Sequence, residues 1–378
     1  MNKSASRITL ALSLAAAFMG CDSGNASGSD SVKADQANWE GITLQNDAVR
    51  ITGRHSWSPE GYAFASWSGA AVTVGFNGTA LKLFMTSGSA IYDIFVDGEE
   101  FPSDTIDLSA VDGNSKPVTE FLVVDSLPPG NHSVRIQKNT ESYFSSVLFM
   151  GFEIAGKPEP KALPPLPEKR LEFFGNSITC GFGVLDTVSV EEFNLQTEDH
   201  FYSYAGQTAR ILGAEEHTVC TSGKGFIRNF DNSTEGLIPD TYKFTDYDGV
   251  GNWDLSSWTP DIVFVNLGTN DFHMGIPDSA TFTNAVLDFA KNLREDYPKA
   301  GIVLLTGPMM FGEPLETCKR YLDAAAGQFK SSLDTNIYRF DFEPQGSLGT
   351  GGSGHPNRAQ AEKDAKSLAA WIQQTFHW

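Results

Sequence analysis

Pro158, Pro160, Pro164, Pro165 and Pro167 crowd the stretch Lys157–Arg170. Proline fixes φ and offers no backbone donor, so neither a helix nor an interior strand runs comfortably through such a stretch. Residues 157–170 are therefore expected to form a stiff, extended linker between two domains. The apolar residues on its two sides recur with different periods. From about Trp39 to Ala155 they alternate: Val72, Val74 and Phe76, then Ile94 and Val96 before Asp97-Gly98, then Val134 and Ile136 after a Pro128-Pro129-Gly130 turn. Short strands separated by turn signals predict an all-β sandwich of jelly-roll type over 39–156. From Leu171 to the C-terminus, short apolar runs at 171–174, 218–220, 262–267, 302–306 and 337–342 alternate with helical stripes. Val286, Phe289, Ala290, Leu293 and Tyr297 form one stripe; Ala365, Leu368, Ala369, Ile372 and Phe376 form another. That alternation predicts a three-layer α/β/α domain with a parallel sheet over 171–378.

The start of the chain reads as a targeting segment. Lys3 and Arg7 precede an apolar core, Ile8–Met19, too short to span a bilayer comfortably. Phe18-Met19-Gly20-Cys21 resembles a bacterial lipoprotein cleavage box, making Cys21 the expected lipidated residue of segment 1–21. The Ser-, Gly- and Asp-rich residues 22–38 are expected to be a flexible tether. These features predict export to a bacterial cell envelope, with membrane contact only through the lipid. The formal net charge of −20 argues against nucleic acid as a partner and fits a neutral substrate. Export permits disulfides. Cys180 and Cys220 can meet if their strands are neighbours; buried free thiols are the alternative, and Cys318 completes an odd set.

Two distant segments read as one active site. Leu171–Gly175 is a strand that runs into a turn carrying Asn176-Ser177-Ile178-Thr179; near the C-terminus stands Gly354-His355-Pro356-Asn357. A serine hydroxyl needs a base within hydrogen-bond reach to act as a nucleophile. Loops after different strands meet at the carboxyl edge of a parallel sheet, which can unite the two segments. Two further blocks follow strands: Thr221-Ser222-Gly223-Lys224-Gly225 and Gly268-Thr269-Asn270-Asp271. Glycine lets the backbone approach a ligand, and an amide side chain can donate to a developing oxyanion. Asn357 is placed to cap the last helix.

Taken together, these blocks resemble the SGNH, or GDSL, hydrolase superfamily. The resemblance makes Ser177 the nucleophile and His355 the general base, with Ser177 N–H, Gly223 N–H and the Asn270 amide as the oxyanion hole. The Gly-Asn-Ser-Ile-Thr block, Ser222-Gly223-Lys224-Gly225, Trp258-Thr259-Pro260-Asp261 and the preceding β domain look like carbohydrate esterase family 2. That implies a serine esterase removing O-acetyl groups from polysaccharides such as xylan and glucomannan. It would act as a monomer, without cofactor or metal.

One position departs from the superfamily pattern: Gly352 stands where an Asp usually precedes the histidine. A backbone carbonyl accepting from Nδ1 can orient the ring instead, which favours a Ser-His dyad. Asp341 and Glu343 are the candidates for a substitute acid. Trp253, Trp258 and Phe272 flank the Gly268-Thr269-Asn270-Asp271 block and are candidate substrate contacts. Gly181-Phe182-Gly183 lacks the third glycine of a dinucleotide fingerprint, and Asp246-Tyr247-Asp248-Gly249 lacks the closing Glu of a calcium loop. The competing functions are a lipase-like or thioesterase member of the superfamily and a carbohydrate-binding lipoprotein with a vestigial site.

Overall fold

The computed structural model describes residues 38–86, 88–108, 118–144, 147–188, 193–247, 249 and 251–378. The leader, Cys21 and most of the tether lie outside the described residues. The N-terminal strands are β1 (Trp39–Ile42), β2 (Val49–Thr52), β3 (Ser56–Trp57), β4 (Ala63–Phe64), β5 (Ala71–Thr86), β6 (Ile91–Val96), β7 (Asp104–Asp107), β8 (Val118–Val124), β9 (Gly130–Lys138) and β10 (Leu148–Pro158). Every pairing among them is antiparallel. The long β5 organises the domain: its first half pairs with β2 and β9, its second half with β8, and β10 runs along most of its length. The alternating residues Val72, Val74, Phe76, Ile94, Val134 and Ile136 are all buried in one core. Asp97 and Gly98 both take positive φ, as the turn signal requires, but the loop they open runs on to β7 instead of closing in two residues.

The proline-rich segment is tied down along the β domain. Pro158 is still paired with Phe76 in β10. Glu159 caps a single 3-10 turn, Pro160–Ala162, and its N–H donates to Gly75 O. Arg50 Nη2 donates to Pro164 O at 2.6 Å.

The second domain holds five parallel strands: β11 (Lys169–Gly175), β12 (Ala214–Cys220), β13 (Ile262–Asn266), β14 (Gly301–Thr306) and β15 (Ile337–Asp341), in spatial order β12-β11-β13-β14-β15. Its helices are α1 (Ser177–Cys180), α2 (Tyr204–Leu212), α3 (Ile238–Thr241), α4 (Ser279–Asp296), α5 (Gly312–Ser332) and α6 (Arg358–Phe376). Period-two alternation sorts the strand residues between two cores. Leu171, Phe173, Phe264 and Val303 pack with α2 and α6. Phe174, Val263, Val265 and Ile302 pack with α4 and α5. The strand order reverses at β11, so the loops leaving β11, β12 and β13 open onto a common crevice.

The two domains are joined through a buried ion pair. Arg54 of the β domain meets Glu172 of β11 at 2.7 Å, both side chains fully buried. The guanidinium also donates to the carbonyls of Tyr242 and Phe244. Such a pair is a weak stabiliser as a unit, but removing one partner strands a buried charge.

Candidate active site

β11 delivers Ser177 to the carboxyl edge of the sheet. Gly175 has no side chain because a Cβ there would lie 2.0 Å from Thr179 Oγ1. Asn176 accepts from Ile178 N–H at 3.1 Å and starts α1, and Gly181 ends it in the left-handed region at φ 91°. The serine is buried, with only its edge reaching the crevice. Cys180 is bonded to Cys220 at the end of β12, with Cα atoms 5.6 Å apart. The disulfide thus joins the serine turn to the loop that begins at Thr221. Cys318 is buried and free.

His355 comes from the loop before α6, whose first turn is capped by Asn357 accepting from Gln360 N–H at 3.0 Å. Its Nε2 lies 2.7 Å from Ser177 Oγ and its Nδ1 lies 3.1 Å from Gly352 O. A carbonyl only accepts, so Nδ1 carries the proton and Nε2 is free to accept the serine hydroxyl's proton. Burial dominates the ring's titration and lowers its pKa from 6.5 to about 4, against the opposing pull of the Gly352 and Ser353 carbonyls. Phe182 covers one face of the imidazole at 4.4 Å between centroids.

The candidate acids are engaged elsewhere. Asp341 accepts from Arg339 Nη2 at 2.5 Å and from Thr306 Oγ1. Glu343 points outward to Lys363 at 2.6 Å. The backbone position that usually supplies the acid is crowded, since a Cβ on Gly352 would lie 2.4 Å from the tip of the Asp186 side chain and 3.2 Å from Gly183 Cα.

Gly223 and Asn270 line the same cleft as Ser177 and His355. Gly223 has φ 79°, and a Cβ would meet the Phe230 ring at 2.6 Å, so only glycine fits this turn. Asn270 Nδ2 donates one hydrogen to Lys224 O at 2.8 Å, which fixes the amide plane and leaves its second hydrogen for a ligand. Buried Asp271 locks the two blocks together, accepting from the N–H groups of Phe226, Ile227 and Arg228 at 3.1, 2.8 and 3.3 Å. Burial raises its pKa, and those three donors oppose the rise.

The cleft has a volume of about 700 Å³ and runs between the domains. Its aromatic walls are Tyr143 and Phe144 from the β domain and Phe182, Phe230 and Tyr247 from the other. Tyr143 and Phe230 are more than half exposed. Tyr143 meets Tyr247 edge-on at 5.2 Å, and Phe144 stacks on Phe193 at 4.9 Å. The sequence reading missed these residues and named others. Trp258 is buried before β13, stacked on His217 at 3.6 Å. Trp253 packs on His55 and His217. Phe272 turns inward onto Phe282 and Tyr321. None of the three lines the cleft. The available signal was the adjacent pair Tyr143-Phe144, placed in a polar connection where strand alternation has ended.

Comparison with known proteins bears on both domains. The model of the carbohydrate esterase 2 N-terminal domain matches residues 51–164, and that of the GDSL-like lipase/acylhydrolase family matches residues 173–375. The chain is 32% identical over 336 residues to the cellulase/esterase CelE of Acetivibrio thermocellus, covering 88% of this chain but 40% of that protein. It is 28% identical over 342 residues to an acetylxylan esterase / glucomannan deacetylase of Cellvibrio japonicus, covering 89% and 91% of the two chains. Among solved structures, a family two carbohydrate esterase from Clostridium thermocellum in complex with cellohexaose superposes with a TM-score of 0.82 at 31% identity, over 87% of this chain and 99% of that one. With both of its domains matched and the fold shared along almost the whole of that enzyme, the chain belongs to carbohydrate esterase family 2, within the GDSL-like hydrolases.

Proposed function

We propose that this protein removes O-acetyl groups from β-linked plant polysaccharides such as xylan and glucomannan through a covalent acetyl-serine. The observation that carries the reading is the 2.7 Å contact of Ser177 Oγ with the unprotonated Nε2 of His355, inside an aromatic cleft between the domains. Nε2 takes the hydroxyl proton as Oγ bonds to the acetyl carbonyl carbon. The oxyanion accepts from Ser177 N–H, Gly223 N–H and the second hydrogen of Asn270 Nδ2, each worth roughly 3 kcal/mol of barrier. The imidazolium then protonates the departing sugar oxygen, giving acetyl-Ser177 and free alcohol. Water enters and its oxygen bonds to the acetyl carbon as His355 takes one of its protons; the bond to Oγ then breaks as the imidazolium returns that proton to Oγ, and acetic acid leaves and ionises to acetate. The ring is oriented by Gly352 O, so the pair works as a dyad. Support for the substrate comes from the open cleft, whose exposed Tyr143 and Phe230 offer faces for sugar rings, and from the activities named for the relatives.

We also propose export and lipid anchoring at Cys21. The Cys180–Cys220 disulfide supports an oxidising compartment.

Acetate release from acetylated xylan, glucomannan and p-nitrophenyl acetate, set beside hydrolysis of the octanoate ester, tests the reading. Ser177→Ala is expected to abolish release from all of them. Near-normal turnover by a folded Ser177→Ala protein refutes the nucleophile, and faster octanoate hydrolysis favours a lipase-like enzyme.

A further inference from the structure

The β domain sends a buried carboxylate into the catalytic domain. Glu141 stands in the connection between β9 and β10 and is fully buried. Its Oε2 accepts the N–H of Ser222 at 2.7 Å, and the residue lines the cleft that holds Ser177. Ser222 immediately precedes Gly223. An N–H held by a buried carboxylate is a strong, short hydrogen bond, so it fixes the 221–222 peptide plane, one Cα away from the plane that carries Gly223 N–H.

The main chain at Glu141 is itself held on two sides. Glu141 N–H donates to Glu198 Oε1 at 2.9 Å, and Glu198 is also buried. Lys138 Nζ reaches Thr140 Oγ1 at 3.2 Å and Glu141 O at 3.1 Å, and the charges of Glu198 and Glu141 act on it through space. Burial raises the pKa of both acids and lowers that of Lys138 to about 8. Among the described residues, Glu141, Glu198 and Cys180 bring one ligand-type atom each within 4.8 Å of one another. The Cys180 sulfur is bonded to Cys220, so the trio is no thiolate metal site. Neighbouring contacts repeat the docking: His200 N–H donates to Asn139 O at 3.1 Å and Tyr247 N–H to Ser142 Oγ at 3.1 Å.

We propose that Glu141 of the β domain is a positioning residue for the oxyanion turn, aiming Gly223 N–H through its hold on Ser222. The 221–225 turn is then restrained from three directions. The disulfide holds the strand end at Cys220, Asn270 holds Lys224 O, and Glu141 holds the point between them. The first two restraints lie within the catalytic domain. The third makes the β domain part of the catalytic apparatus as well as a wall of the cleft. The inference rests on the proposed role of Gly223.

Two side chains of similar length separate an acceptor role from simple packing. Glu141→Gln keeps an oxygen able to accept from Ser222 N–H. Glu141→Met keeps the volume, removes the acceptor and relieves a buried charge, so it is expected to fold. Turnover of p-nitrophenyl acetate is measured for each, with Ser177→Ala as the control and thermal melting to check folding. Glu141→Met is expected to lower kcat about tenfold or more with KM within about twofold, a misaimed donor costing less than the roughly 10²–10³ of a deleted one. Glu141→Gln is expected to recover most of that loss. A folded Glu141→Met protein with wild-type kcat overturns the proposal, as does equal impairment of the Gln and Met proteins. If Ser177→Ala retains activity, the catalytic reading itself falls; if only the Glu141 result fails, the positioning role alone falls. Should Glu141→Met not fold, Glu141→Gln decides: kcat within about threefold upholds an acceptor role, and a loss beyond tenfold in a folded protein overturns it.

Discussion

The two sides of the catalytic cleft are built on different principles. On the base side, His355 is held by main chain: Gly352 O orients its ring, Gly352 N–H donates to Gly183 O at 3.0 Å, and Gly351 N–H donates to His355 O at 2.7 Å. On the oxyanion side, buried carboxylates do the holding, Asp271 from within the domain and Glu141 from across the interface. Main-chain support is cheap in side chains but packs closely at Gly351 and Gly352, where an added Cβ would lie 2.3 Å from Gly183 O and 2.4 Å from Asp186 Oδ2. Carboxylate support leaves the backbone free to adopt φ 79° at Gly223, but it fails when a single side chain is lost. Each side therefore has its own characteristic lesion.

The largest effect is expected where the comparison does not apply, at the reacting atoms. His355→Ala should lower kcat/KM by about 10⁴ or more, and combining it with Ser177→Ala should add little, because nucleophile and base act as a unit. Multiplying losses would break that unit. The wild-type pH profile tests the same ring. A pKa of about 4 keeps the base neutral, so kcat/KM should hold through pH 6 and fall only as pH approaches 4. Stability runs the same way: between 6.5 and about 4 the unfolded chain binds a proton that the folded site refuses, so stability falls as pH falls through that window. An acid limb near 6.5 would show a partner that raises the ring's basicity.

Next comes the carboxylate side. Asp271→Ala removes the acceptor of three backbone donors, one buried at Phe226 and two half-buried at Ile227 and Arg228. Each orphaned donor costs about 1–3 kcal/mol, so the protein should melt lower and kcat should fall about a hundredfold as the 225–228 loop releases Gly223. An Asp271→Ala protein with unchanged melting and unchanged turnover would remove the distinction between the two sides.

The main-chain side should be broken by addition. Gly352→Asp restores the acid that the sequence pattern leads one to miss, yet its Cβ would lie 2.4 Å from Asp186 Oδ2 and set two carboxylates together. The substitution should lower kcat about tenfold by shifting the carbonyl that orients His355, an overpacking cost of roughly 1–3 kcal/mol. A gain in activity would mean that the ring lacks orientation as it stands.

These lesions also explain what could be read from sequence. Strands 171–174 and 302–306 and the stripes of α4 and α6 were legible because burial writes a local period into each element. The Ser177, Gly223, Asn270 and His355 blocks were legible because each follows a strand, and a parallel sheet gathers such positions. Glu141 was not, because nothing local marks a residue whose partner, Ser222, belongs to another domain. Trp258 misled for a geometric reason. It precedes β13 whereas Asn270 follows it, and a five-residue strand puts about 16 Å between its ends. Sequence adjacency to a functional block meant the wrong edge of the sheet.

The smallest expected effect is the sharpest test of the main-chain side. Asp341 and Glu343 are the last carboxylates before the histidine in sequence, yet each is already paired with a cation. Glu343 is largely exposed, and ion pairs of its kind contribute about 0–1 kcal/mol. Asp341→Asn and Glu343→Gln should therefore leave kcat for p-nitrophenyl acetate within about twofold of the wild type. In an enzyme whose histidine depends on a carboxylate, losing that group can cost about 10⁴, so the two architectures predict results that cannot be confused. A loss of orders of magnitude in either folded variant would mean that a side chain swings in to hold the ring during turnover. The base side would then rest on a carboxylate like the oxyanion side, and the contrast between them would disappear.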